Sequence, residues 1–270
     1  YSLALMILLN DIHYTQLTAT HYCAIARLQP IGTRLWRDHS TALTPITLST
    51  SSLDKASLSS QTFCVVSPSY NPASDFSSLG ATKQDLLNKK IKRQSQRTGV
   101  RILLNRLLAE LGIADTLDES AFPYRLKNHR HYVCFSHSAD RVAVALSFDS
   151  AIGIDIEVKS VAWQVAKRFY HPSEIAMLEQ LSLDKRDYLV RLLWQIKESL
   201  IKINQITLAA GLGRADLPLV QTLIERDSGD SIADDTIKNN SSARELFIKL
   251  NQDAQHRVAY ITDYQTIVVF

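Results

Sequence analysis

Two short acidic stretches of the chain carry side chains that could hold a metal ion. In residues 153–157 (GIDIE), the alternation of a strand places Asp155 and Glu157 on one face. In the second stretch, helical spacing places Glu198 one turn before Lys202. These carboxylates suit Mg²⁺, which usually binds one or two carboxylates together with substrate phosphates and water. The residues therefore predict a magnesium site with a lysine beside it.

Each fragment also has a simpler interpretation. An Asp-x-Glu pair on a strand is most often a solvated face, and a Glu–Lys pair at i, i+4 is most often a surface ion pair. Ser136 and His137 do not make a nucleophile and its base, because adjacent strand residues point to opposite faces and no G-x-S-x-G turn surrounds them. The histidines lack the H-E-x-x-H spacing of a zinc site.

The composition is typical of a globular protein. The 270 residues are 46% hydrophobic and 21% charged, which allows a sizeable core. A net charge of +3 gives no indication of nucleic-acid binding. Three cysteines in apolar surroundings (Cys23, Cys64 and Cys134) predict a reduced, cytoplasmic protein with buried thiols. The apolar run 3–9 is too short to cross a membrane and predicts a first strand.

Apolar periodicity predicts the elements of the first half of the chain. They are strands, followed by one long helix with many Lys and Arg residues, which Gly99 is expected to break and Gly112 to end. The predicted strands are 3–9, 22–28, 63–66, 132–135 and 141–148, the first two form a pair, the helix is 82–111, and the Ser- and Thr-rich segment 40–60 is a loop.

The second half is predicted to begin with the acidic strand, paired as a hairpin with strand 141–148. One helix is expected to start at Ser173 as its N-cap. The other predicted elements are helices 161–170 and 187–203, a polar loop at 226–244, and closing antiparallel strands at 246–250, 257–261 and 266–270.

Four motifs occur in one order along the chain. They are F-S-H-S at 135–138, G-I-D-I-E at 153–157, R-F-Y-H-P-S-E at 168–174 and W-x-x-K-E-S-x-x-K at 194–202. In this combination the chain resembles the 4′-phosphopantetheinyl transferases of the Sfp type. The resemblance is specific from about residue 97 to 202 and strongest from residue 136 onward. One departure is Cys134, where the family often has Asn.

The resemblance implies an α+β fold of two similar α/β halves in a pseudo-twofold arrangement. Residues 1–148 would form one half and 149–270 the other, with coenzyme A in the cleft between them. The implied reaction is Mg²⁺-dependent transfer of the 4′-phosphopantetheine arm of coenzyme A to a serine of an apo acyl or peptidyl carrier protein, with release of adenosine 3′,5′-bisphosphate (holo-[acyl-carrier-protein] synthase activity). A monomer is expected, with neither nucleic acid nor a membrane as a partner.

The resemblance also implies which residues perform the chemistry. Asp155, Glu157 and Glu198 would hold Mg²⁺ on the pyrophosphate of coenzyme A, and Lys202 would contact a phosphate. Glu198 is the first candidate to accept the proton of the carrier serine, directly or through a water shared with Glu174.

Coenzyme binding is implied for a second group of residues. Ser136 and His137 match the family's S-H-S motif, and Arg97–Thr98 resembles an Arg–Thr pair of its N-terminal half. Two other functions share the acidic motifs: a different Mg²⁺-dependent enzyme acting on a nucleotide or phosphoester, and a non-catalytic protein that binds coenzyme A or a carrier. The complete set of carboxylates argues against the non-catalytic alternative.

Overall fold

The computed structural model describes residues 2–36, 64–66, 81–228, 243–249 and 255–270. In these residues the fold is α+β, as predicted, with two antiparallel sheets that each carry a long helix on one face. The predicted loop 40–60 lies outside the described residues. Among the helices of the described ranges, none is long and apolar enough to cross a membrane.

The first sheet is formed by the N-terminal part of the chain. Its elements are β1 (Ser2–Gln16), β2 (His21–Trp36), β3 (Cys64–Val66), α1 (Ala81–Glu110), β4 (Leu117–Asp118), β5 (Tyr124–Leu126), β6 (Tyr132–Ser138) and β7 (Arg141–Ser147). The seven strands follow the order β3-β1-β2-β7-β6-β5-β4. The predicted pairing of the first two strands is confirmed, since β1 and β2 are antiparallel neighbours.

The second sheet and the remaining helices follow. They are β8 (Gly153–Ile156), α2 (Trp163–Phe169), α3 (Pro172–Leu178), α4 (Leu183–Asn204), α5 (Leu208–Leu212), α6 (Leu217–Ser228), β9 (Ala243–Lys249), β10 (Gln255–Ile261) and β11 (Thr266–Val269). The four strands follow the order β8-β11-β10-β9, which makes β8 an edge strand. The predicted loop 226–244 is shorter than expected at both ends, and its residues 229–242 lie outside the described ones.

Side chains on the two faces of each sheet build three core layers. On β2, Cys23 and Ile25 face the second sheet, and Ala24 and Ala26 face α1. The central layer therefore joins the two sheets, while α1 and α4 cover their outer faces. Cys23 and Cys134 are buried and free in this central layer, as predicted for reduced thiols.

Gly99 does not break α1, contrary to the sequence prediction. The helix runs without interruption from Ala81 to Glu110, and Gly99 lies where α1 packs against Leu28 of β2. A Cβ at this position would be 2.3 Å from Leu28 Cδ2. Gly112 does end the helix, as predicted, with a positive φ of 67° that favours glycine.

The predicted hairpin between 141–148 and the acidic strand is wrong. Both edges of β7 are occupied, by β2 and by β6, so no edge remains for β8. β8 pairs instead with β11 at the C-terminus. The intervening residues 148–152 therefore carry the chain from the first sheet to the second.

The predicted N-cap Ser173 is also wrong, since His171 caps α3. The His171 ring nitrogen Nδ1 accepts from the backbone N–H of Ser173 at 3.3 Å. In return, Glu174 Oε2 accepts from the backbone N–H of His171 at 3.2 Å. Pro172 occupies the first helical position, where a missing N–H costs nothing.

Gly153→Ala is expected to destabilise the protein more than Gly99→Ala. A Cβ at Gly153 would lie 2.2 Å from the backbone carbonyl oxygen of Ser199 on α4, so the helix itself would have to move. At Gly99 the obstacle is the end of a leucine side chain, which can change its rotamer, and alanine also gains about 1 kcal/mol of helix propensity.

Overpacking of this kind costs about 1–3 kcal/mol or more. In urea unfolding, the free energy of unfolding of G153A should therefore fall by an amount in that range, and that of G99A should fall by less. The interpretation fails if G153A unfolds at the wild-type urea concentration, or at a higher concentration than G99A.

Candidate functional site

Asp155, Glu198 and Lys202 meet where α4 lies against the edge strand β8. Lys202 Nζ donates to Asp155 Oδ1 at 3.1 Å and to the carbonyl oxygen of Ile154 at 2.6 Å. Lys202 Nζ is also 4.0 Å from Glu198 Oε2. The predicted stacking of Glu198 and Lys202 along one helix is confirmed, and its partner across the interface is Asp155.

Two local features bring the helix this close to the strand. Gly153 has no side chain, so the backbone of β8 can touch that of α4 at Ser199. The buried Gln195 donates to the carbonyl oxygens of Asp155 at 3.3 Å and Gln265 at 2.7 Å, and so links α4 to the second sheet. The packing of α4 thereby determines where its charged side chains lie.

The Asp155 carboxylate is close enough to Glu198 to affect the protonation of Glu198. Burial raises the pKa of Glu198 to about 7, and the negative charge of Asp155 acts in the same direction. Desolvation works against the charge on Lys202, yet the nearby Asp155 raises its pKa above the ordinary value. The lysine therefore remains charged and offsets part of the negative charge of the pair.

Glu157 lies immediately after β8 and has a different set of contacts. Its Oε1 accepts from the Ser138 hydroxyl at 2.7 Å and from the backbone N–H of Lys159 at 3.1 Å. Over the described ranges, no three His, Cys, Asp or Glu side chains converge tightly enough to form a metal site by themselves. Of the three predicted metal ligands, Asp155 and Glu198 are in contact with each other. Glu157, two residues after Asp155, bonds instead to Ser138 and Lys159.

The donor set nevertheless suits Mg²⁺. Asp155 and Glu198 are hard oxygen donors whose mutual repulsion a divalent cation would relieve. Mg²⁺ needs only one or two protein carboxylates when substrate phosphates supply further oxygens. The residues present therefore fit the ion.

The S-H-S motif on β6 is divided between two environments. Ser136 is buried, and its hydroxyl donates to Asp155 Oδ1 at 2.9 Å. His137 is exposed; partial desolvation lowers its pKa, and the positive charges of Lys202 and Lys92 lower it further. Val133 and Phe135, on the same face of β6 as His137, pack in the core under α1, so the basic helix lies on the side of the sheet to which His137 belongs.

Arg97 and Thr98 lie on α1, as predicted. Arg97 is exposed, whereas Thr98 is 7% exposed and faces inward. The preceding Gln96 donates from Nε2 to the carbonyl oxygen of Ala139 at 3.0 Å, which fixes α1 against the turn after β6. The structure therefore places Arg97 on the same basic helix as Lys92.

Glu174 was expected to share a catalytic water with Glu198, but its contacts are with protein groups. It is fully buried, and Lys197 Nζ donates to its Oε2 at 2.6 Å. Its Oε1 accepts from the backbone N–H of Asp216 at 2.9 Å, and its Oε2 also caps α3. Because the carboxylate is inaccessible and both oxygens are bonded, the geometry supports a structural role.

Sequence reasoning assigned no function to three supporting residues on α4: Trp194, Gln195 and Lys197. Trp194 Nε1 donates to Glu198 Oε1 at 2.9 Å, and this pair is visible in the sequence as i, i+4. Lys197 binds Glu174 and the carbonyl oxygens of Leu212 and Arg214 at 2.9 and 2.8 Å. No sequence pattern indicated the contacts of Lys197 or Gln195, since they join distant segments.

Comparisons with known proteins agree with the C-terminal motifs. Residues 151–261 match the family model described as the 4′-phosphopantetheinyl transferase superfamily. The chain is also 31% identical over 146 residues to a Synechocystis sp. protein named "Putative 4′-phosphopantetheinyl transferase slr0495". That match spans 51% of this chain and 59% of the relative's length. The family match includes the acidic strand and α4 and excludes the S-H-S motif and α1.

Neutralising Lys197 should destabilise the protein strongly. In Lys197→Met, the carboxylate of Glu174 would be left buried without its partner, which typically costs about 3–5 kcal/mol. Lys167→Met is the matched control, because Lys167 and Glu179 form an ion pair of similar length, 2.7 Å, with both side chains about half exposed.

Exposed ion pairs contribute about 0–1 kcal/mol to stability. Urea unfolding should therefore show a large decrease in the free energy of unfolding for K197M and almost no decrease for K167M. Equal losses in the two variants would contradict the structural role assigned to the buried pair.

Proposed function

We propose that the protein transfers the 4′-phosphopantetheine arm of coenzyme A to a serine of an apo acyl or peptidyl carrier protein, as the Sfp-type enzymes do. The second product would be adenosine 3′,5′-bisphosphate. The observation that carries the proposal is the contact of Asp155 with both Glu198 and Lys202, formed by motifs inside the matched family region. Because the matches span only part of the chain, the activity of the whole protein is part of the proposal.

Asp155, Glu157 and Glu198 are proposed to hold Mg²⁺ on the pyrophosphate of coenzyme A. When bound, Mg²⁺ neutralises charge on the phosphate oxygens and helps to orient them. Two of the three N–H donors of Lys202 are given to the carbonyl oxygen of Ile154 and to Asp155 Oδ1. The ammonium group of Lys202 is thereby held in a fixed orientation beside the same phosphates, where it would stabilise charge on the leaving oxygen.

Glu198 is proposed to accept the proton of the carrier serine. A serine hydroxyl is a weak nucleophile at neutral pH, so a positioned acceptor is required. Trp194 holds one oxygen of Glu198, which fixes the orientation of the carboxylate without protonating it. Glu174 supports the site at a distance, through Lys197 on the same helix.

The nucleotide end of coenzyme A is proposed to lie along α1 and the end of β6. The positive or polar groups there belong to Arg97, Lys92 and His137, whereas Thr98 is buried and faces inward, away from this surface. Carriers with an acidic surface would be attracted to a rim of this charge. We also propose a cytoplasmic monomer, in which both halves supply walls of one cleft.

The proposal is tested by incubating the protein with coenzyme A, Mg²⁺ and each of several purified apo carrier proteins. Intact-mass measurement should show the phosphopantetheine arm on the carrier serine, and a chelator should prevent it. Asp155→Asn keeps an acceptor for Ser136 but removes a charge from the proposed metal site, so transfer should fall below detection. Absence of the arm on all carriers with the wild-type protein would reject the function, and near-normal activity of D155N would remove Asp155 from the site.

Lys202→Ala should reduce transfer far more than Lys89→Ala. Loss of a charged group at the reacting phosphates costs about 100- to 1000-fold in kcat. Lys89 is an exposed residue on the basic helix and lies outside the cluster, so its removal should change kcat little. Steady-state kinetics with one carrier would separate the two variants, and equally small effects would mean that Lys202 forms only an ion pair.

A further inference from the structure

The edge strand β8 is covered by side chains of β6 in place of a backbone partner. On its other edge β8 pairs with β11, so the N–H groups of Ile154, Ile156 and Val158 face β6. The Ile156 and Val158 N–H groups donate to the hydroxyls of Ser136 and Ser138, each at 3.2 Å.

Each serine of this ladder also donates to a carboxylate. Ser136 donates to Asp155 Oδ1 at 2.9 Å, and Ser138 donates to Glu157 Oε1 at 2.7 Å. Side chains two residues apart on a strand lie on the same face. Ser136 and Ser138 on β6 can therefore both reach Asp155 and Glu157, which are also two residues apart. His137, between the serines, is turned to the exposed side.

A serine hydroxyl has one proton to donate, and here that proton is given to a carboxylate. A phosphate oxygen accepts hydrogen bonds, so a hydroxyl in this state has no donor left for the coenzyme. This differs from the coenzyme contact that the family resemblance implied for Ser136. A carboxylate with one oxygen held by such donors keeps its rotamer, and its second oxygen is left for a cation.

We propose that Ser136 and Ser138 are positioning residues that hold Asp155 and Glu157 in the orientation needed for a divalent cation. The inference rests on the proposed function, because it assigns the serines to the same metal site. Through the serines, the first sheet fixes ligands that belong to the second sheet. The site is therefore complete only when the two sheets are in contact.

The experiment measures metal binding directly, in the full-length protein with saturating coenzyme A and no carrier. Mn²⁺ is the probe, and its free concentration is read by electron paramagnetic resonance. Loss of a hydrogen-bond partner of a metal ligand typically weakens binding about 10- to 100-fold, so Ser138→Ala should raise the Mn²⁺ dissociation constant by that factor. Ser138→Thr keeps the hydroxyl and should restore wild-type affinity.

Ser147→Ala is the matched control. Ser147, on β7, has the same bonding pattern, since it donates to Asp149 Oδ1 at 3.1 Å and accepts from the N–H of Ser150 at 3.2 Å. Its removal should cost similar stability and leave Mn²⁺ affinity unchanged. Equal Mn²⁺ affinities of S138A and the wild type would overturn the proposal, as would equal weakening in S147A or no recovery in S138T.

Ser136→Ala separates the two roles of that serine. Positioning predicts weaker Mn²⁺ binding with an unchanged dissociation constant for coenzyme A measured without metal. The reverse result would assign Ser136 to the coenzyme and overturn its part in the ladder. Transfer by the wild-type protein is scored separately: if no arm is transferred, the proposed function fails, and the Mn²⁺ affinities of S138A and S138T still decide whether the serine positions a metal ligand.

Discussion

The close approach of α4 to β8 is the constraint on which the site depends. At Gly153 the strand and the helix touch through their backbones, next to the carbonyl oxygen of Ser199. This approach brings Lys202 within hydrogen-bonding distance of Asp155 and of the strand backbone itself. A side chain at position 153 would increase the separation, and the charged groups that depend on it would no longer meet. The glycine of the G-I-D-I-E motif therefore has a packing function, distinct from the chemical functions of the carboxylates that follow it.

Charge at this contact is balanced in two separate ways on one helix. Lys197 points to the buried Glu174, and the two charges neutralise each other away from solvent. One residue further along, Glu198 is turned towards Asp155, where two carboxyls share a single lysine. The first arrangement is internally complete and so stabilises α3 against α4. The second retains an excess of negative groups, which is the condition that favours binding of a cation.

Local patterns predicted most of the elements, and tertiary contacts account for the errors. The i, i+4 spacing located Glu198 and Lys202 on one helix, and the period of two placed the acidic strand, because both periodicities are properties of the backbone. Strand pairing depends on which edges are already occupied, so the expected β7–β8 hairpin was wrong. Helix α6, which has Pro218 in its first turn, is absent from the sequence predictions. Asp216 before it caps the helix, however, and proline is tolerated in the first turn.

The S-H-S motif shows how the fold can divide one short sequence pattern between two environments. The resemblance to a coenzyme-binding motif implied one shared function for Ser136 and His137. On a strand, however, residue 137 must face away from residues 136 and 138. The serines reach the free edge of β8, where backbone N–H groups need acceptors, and the histidine reaches the side on which the basic α1 lies.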